Sequence, residues 1–89
     1  MLRMDEYRYS YTMSMEASKK VFKNTCKTIE KSLKGLKKEK LLMDIDGSLV
    51  RTYYFDGEEI AVYNCNKISC VYVESNVDLG EILGRESVY

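Results

Sequence analysis

The stretch EASKKVFKNTCKTIEKSLKGLKK, residues 16–38, decides how the remainder of the chain is read. Stepped at about 100° per residue, Ser18, Phe22, Cys26, Ile29, Leu33 and Leu36 fall on one face, with Ala17, Val21 and Thr25 at its margin. Lys20, Lys23, Lys27, Lys31, Lys34 and Lys38 fall on the opposite face. This spacing predicts an amphipathic helix whose lysine stripe runs about 27 Å at a rise of 1.5 Å per residue. Ser14 is the expected N-cap, and Glu16 the carboxylate that the helix dipole favours in the first turn. Gly35 suits a helix interior poorly. Taken as the stop, it leaves 36–40 as connection and removes Lys38 from the stripe.

Upstream, residues 7–15 read Tyr-Arg-Tyr-Ser-Tyr-Thr-Met-Ser-Met, an unbroken alternation of period two. Tyr7, Tyr9, Tyr11, Met13 and Met15 share one face, and Arg8, Ser10, Thr12 and Ser14 the other. That is a strand covered on one side and wet on the other. Downstream, short β-prone runs at 41–45, 49–55, 59–65 and 68–74 are separated by Asp46-Gly47, Asp56-Gly57 and Asn66-Lys67. Asp-Gly between such runs signals a hairpin, because both residues of a type I′ turn need φ > 0. Residues 78–84 read as one capped helical turn, with Asp78 as cap and Gly84 as stop. Residues 85–89 are expected to form a flexible C-terminal tail behind a single domain spanning 1–84.

The expected fold is therefore α+β: a two-layer β-α-β-β-β-β arrangement, with one long helix packed on an antiparallel sheet. This element order is similar to that of cystatin-like folds. The resemblance implies architecture alone. The Gln-x-Val-x-Gly inhibitory loop of the cystatin family belongs between the second and third strands, where this chain has Asp46-Gly47-Ser48, so no protease-inhibitor function carries over.

Charge is segregated along the chain although the net charge is zero. Residues 17–40 hold nine lysines against Glu30 and Glu39, a net of +7. Residues 41–89 hold three basic residues against nine acids, a net of −6, and residues 1–16 carry −1. A basic helix is attached to an acidic remainder.

Composition removes most catalytic chemistry. With no histidine, the commonest general base and zinc ligand are missing, and Ser-His-Asp or Cys-His arrangements within one chain go with them. The five glycines stand singly, so none forms a phosphate-cradling loop. Asp44 and Asp46 share a strand face, and Asp56, Glu58 and Glu59 crowd a turn, but they lack the spacing of a calcium loop. The expectation is a non-enzymatic protein with no cofactor and no metal.

Three cysteines, no apolar leader and no stretch near the roughly 20 apolar residues of a membrane span point to a reduced, cytoplasmic protein that does not enter the membrane. Cys26 is expected in the core. A four-residue loop would set Cys65 and Cys70 opposite each other, and a two-residue loop would stagger them. The tyrosines have two readings, packing beneath the helix or stacking on nucleic-acid bases.

The functional expectation rests on the lysines. An ordinary surface helix interleaves acids with its lysines, and here only Glu30 does so within 17–38. Lys20, Lys23, Lys27, Lys31, Lys34 and Lys38 are the candidate contacts for an anionic macromolecule, either a nucleic-acid backbone or an acidic protein surface. The alternative is a protein–protein regulator or inhibitor acting through the acidic sheet or strand edges, self-associating as a homodimer. Small size and a Tyr/Lys/Glu-rich composition without His or Pro suit a viral, phage or mobile-element accessory protein.

Overall fold

The computed structural model describes residues 7–88. The expected domain's residues 1–6 and the expected tail's Tyr89 lie outside the described residues. Strand β1 spans Tyr9–Ser14, helix α1 Lys19–Ser32, β2 Lys37–Lys38, β3 Leu42–Met43, β4 Leu49–Phe55, β5 Glu58–Cys65, β6 Cys70–Ser75 and α2 Gly80–Leu83. Among the described residues the strands form one antiparallel sheet in the order β1-β6-β5-β4-β2, with β3 also paired to β4. The α+β architecture read from the sequence is the one present.

Register explains the core. Tyr11, Val73 and Val62 align across β1, β6 and β5, while Ile60 and Tyr53 align on β5 and β4. Because strand side chains alternate, these residues share one face with Val71 and Leu49. Against that face α1 lays Phe22, Thr25, Cys26 and Ile29, all buried. Leu79, just ahead of α2, and Leu83 at its end close the core. The buried Tyr11 hydroxyl accepts a hydrogen bond from the Leu79 amide at 2.9 Å and donates to Asp78 Oδ1 at 3.2 Å, which anchors the α2 turn to β1.

The turns separate two kinds of Asp-Gly. Between β4 and β5, Asp56 and Gly57 both have positive φ, 54° and 81°, as a two-residue type I′ turn demands. Between β3 and β4 the loop is longer. The Gly47 amide donates to Asp44 O at 3.0 Å, and the Asp44 amide donates to Ser48 O at 2.8 Å, so Gly47 at φ 87° is the last residue of a three-residue loop. A Cβ at Gly47 would lie 2.9 Å from Asn66 Nδ2, because the β5–β6 loop docks there. Asn66 Nδ2 donates to Asp46 O at 2.6 Å, and the Asn66 amide to Ser48 Oγ at 2.9 Å.

Several expectations are corrected. The helix is capped by Ser18, whose Oγ accepts from the Val21 amide at 3.1 Å, and Ser14 instead accepts from the Glu16 amide within its own turn. Glu16 therefore precedes the cap, and the first turn holds no acid. The helix ends at Ser32, before Gly35, because Leu33 turns extended and packs with Leu36 against the core. The expected connection 36–40 contains β2, whose Lys37 and Lys38 pair with Tyr54 and Tyr53.

The segment 85–88 is held along the sheet edge rather than trailing from it. The Val88 amide donates to Ser10 O at 2.8 Å, the Ser10 amide to Ser87 Oγ at 2.9 Å, and the Arg85 guanidinium to the Thr12 and Met13 carbonyls.

Candidate functional site

The solvent face of α1 carries Lys19, Lys20, Lys23, Lys27 and Lys31, all exposed. Its position is fixed from below and from its start. Phe22, Cys26 and Ile29 bury the opposite face, and Asn64, itself buried on β5, accepts from the Ser18 amide at 3.0 Å. Buried Thr25 returns its hydroxyl to Val21 O at 2.8 Å, which satisfies a polar side chain facing the core. Lys20 to Lys31 extend about 17 Å along the helix axis.

The end of α1 at Ser32 divides the six candidate lysines. Lys20, Lys23, Lys27 and Lys31 share the helix face. Lys34 stands in the turn after it, and Lys38 lies on β2. Lys38 Nζ pairs with Glu30 Oε2 at 3.5 Å. Among the described residues Lys20, Lys23, Lys27, Lys31 and Lys34 have no carboxylate within ion-pair distance. Lys31, Lys34 and Lys38 nonetheless meet around a groove of about 480 Å³, with Glu30, Leu33 and Leu36.

Glu30 is the acid the sequence offered as compensation, and it is already engaged. The buried Tyr53 hydroxyl donates to Glu30 Oε2 at 2.6 Å from beneath the helix. Burial, followed by the hydrogen bond to Glu30, keeps that hydroxyl protonated far above the ordinary tyrosine range. Burial also pushes the Cys26 thiol up, against smaller opposing effects of the Tyr53 hydroxyl and Arg51. Arg51 Nη1 donates to Glu39 O at 2.8 Å.

The helix dipole sharpens the electrostatics. Lys19, Lys20 and Lys23 crowd the positive end of α1 with no first-turn acid to offset them. Lys23/Lys27 and Lys27/Lys31 repel at i,i+4, each costing a few tenths of a kcal/mol.

The other sequence candidates are dispersed. Tyr9 and Tyr11 stack at 6.4 Å on the face beneath α1, and Tyr53 is buried, whereas Tyr54 is exposed. A stacked pair that the alternation did not identify, Tyr63 and Tyr72 at 4.5 Å and 14°, lies on the opposite face, in the register row that runs through Thr12, Val50 and Leu42. The two rings meet only through the pairing of β5 with β6, which no local alternation signals. Asp44 and Asp46 cap their own turn, Asp44 Oδ1 accepting from the Ile45 amide and Asp46 Oδ1 from the Ser48 amide. The Ser48 hydrogen bonds lower the Asp46 carboxyl below its usual value. Among the described residues no three cysteine or carboxylate side chains gather as a metal site.

Comparison with protein-family models, curated proteins and solved structures returned no match. Among the described residues no helix is long and apolar enough to cross a membrane.

Proposed function

We propose that this chain is a small non-enzymatic binding protein whose α1 presents Lys20, Lys23, Lys27 and Lys31 to the phosphate backbone of a nucleic acid, with Lys34 and Lys38 extending the contact around the helix end. One observation carries this reading. The exposed residues of α1 include five lysines and one acid, the lysines are opposed to the dipole at the N-terminal end, and that acid, Glu30, is engaged by Tyr53 and Lys38. A merely solvated helix gains from interleaved Glu partners, and this one forgoes them. Lysines supply charge without base-reading geometry, so the expected binding is insensitive to sequence.

An anisotropy titration with duplex and single-stranded DNA and RNA across a salt series tests it. Four phosphate contacts on a duplex give a slope of log K against log salt between about −3 and −4. Lys27→Glu with Lys31→Glu should abolish binding. No binding at low salt up to about 100 μM, the weak end of nonspecific affinity, rejects the reading.

A second reading, a protein-contact surface, draws on the β3–β4 hairpin. Leu42 and Met43 are 59% and 69% exposed and Ile45 is fully exposed at the tip. Clustered exposed apolar side chains of this kind suit a protein partner, including a second copy of the chain. Light scattering distinguishes the two, since self-association through this hairpin persists at high salt. Strand addition has less support at β1, because 85–88 lies along it, and at the other margin β2 and β3 are only two residues each.

A further inference from the structure

Cys65 ends β5, Cys70 begins β6, and the two are register partners, the last pair before the loop 66–69. Both are free thiols of intermediate exposure. Residues directly opposed in an antiparallel pair have Cα atoms about 4.5 or 5.5 Å apart, within the roughly 4.4–6.8 Å a disulfide accepts. Their Cβ atoms, about 4.5–5.5 Å apart in such pairs, need to close by about an ångström.

We propose that Cys65 and Cys70 form a reversible oxidative modification site, a dithiol that a low-molecular-weight disulfide converts to a cross-strand disulfide within the intact fold. The thiolate of one cysteine attacks one sulfur of the oxidant RSSR, forming a mixed disulfide and expelling RS⁻. The thiolate of the other then attacks the Sγ of the first, forms the Cys65–Cys70 bond and expels the second RS⁻. The two cysteines give up two electrons and two protons, and RSSR takes up both to become two RSH.

Local structure assigns the consequence. Burial pushes the Cys70 thiol up, and the neighbouring Cys65 pushes it further the same way. The attack by Cys70 accelerates as pH rises. The loop that the disulfide would close is already docked. Asn66 bonds to Asp46 and Ser48, and Ser69 Oγ accepts from the Ala17 amide at 3.2 Å, just ahead of the α1 cap. Oxidation tightens the tie between this sheet end and the entry to α1. Cys26, buried beneath the helix, takes no part.

The test equilibrates native protein with oxidised and reduced glutathione, followed by quenching, alkylation and trypsin digestion. Cleavage after Lys67 separates the two cysteines, so the disulfide joins peptide 52–67 to peptide 68–85. The expected result is that joined pair, with Cys26 alkylated, at an effective thiol concentration at least about tenfold above that of the chain in urea, equivalent to about 30 mV for this two-electron couple. Glutathione adducts without the joined pair, or an effective concentration equal to that in urea, overturn the proposal. Cys70→Ser and Cys65→Ser provide the second measurement: the remaining cysteine of the pair must accumulate the mixed disulfide in at least one of them, and no adduct in either overturns the proposed route.

Discussion

Tyr53 is the residue through which the helix, the sheet and the charge pattern meet. Its ring lies in the core, and its hydroxyl holds Glu30 from below while Lys38 holds it from the side. Tyr53→Phe keeps the ring and removes one hydrogen bond to a carboxylate. It should cost about 1–2 kcal/mol in urea unfolding with an unchanged m-value. The same burial sets an alkaline limit. The hydroxyls of Tyr11, Tyr53 and Tyr72 are raised above the ordinary value of 10.0, Tyr72 to about 12, in each case chiefly by burial. A group whose folded pKa exceeds its unfolded one contributes stability that is fully present below the unfolded value and is lost as pH rises through the folded one. Stability should therefore decline above about pH 10. Ultraviolet difference absorbance should show part of the tyrosine ionisation of the folded protein delayed relative to the chain in urea, and identical titrations of the two would contradict the assignment. None of this coupling is legible in the sequence, where Tyr53 and Glu30 are merely one tyrosine and one acid far apart.

At the level of elements, α1 was legible and its ends were not. The period of Phe22, Cys26 and Ile29 against the lysines sets the helix and its buried face without any tertiary information. The ends depend on contacts made elsewhere. Ser18 rather than Ser14 caps the helix because Asn64 fixes the Ser18 amide, and Leu33 leaves the helix to reach the core. Ser18→Ala should cost about 1 kcal/mol, whereas Ser14→Ala should stay within about 0.5 kcal/mol, as thermal or urea unfolding will show. Ile29→Ala, at a fully buried position, should cost about 2–5 kcal/mol by the same measurement. The turns show the same division. Asp56-Gly57 acts as the type I′ turn its residues prescribe, but Asp46-Gly47 carries the same letters into a longer loop because Asn66 docks on it. β2 leaves no signal in the sequence, because two lysines carry no alternation to read. The candidate site was legible in the exposure of Lys20, Lys23, Lys27 and Lys31. The departure of Lys34 and Lys38 from the helix face was settled only by where Leu33 had to pack.

Across the whole molecule, the sheet ends in its own chain on both sides: a covering segment along β1, and two-residue strands along β4. Residues 85–88 lie along β1, and β2 and β3 lie along β4. Removing 85–89 should strip β1 of this cover, cost roughly 1–3 kcal/mol in urea unfolding, and raise the tendency to associate at high protein concentration, visible by light scattering. An unchanged midpoint with no added scattering would show that the segment contributes nothing to the edge. The topology also has a kinetic side. β1 takes β6 as its sheet neighbour, so strands from opposite ends of the described chain must find each other before the sheet is complete. Such distant pairings fold slowly, because the chain loses loop entropy before the contact rewards it. During synthesis β1 and α1 emerge first and β6 last of the strands. The lysine-rich segment therefore spends the whole of that interval without its full sheet beneath it. A polyanion that meets the nascent chain encounters the charge before it encounters the fold.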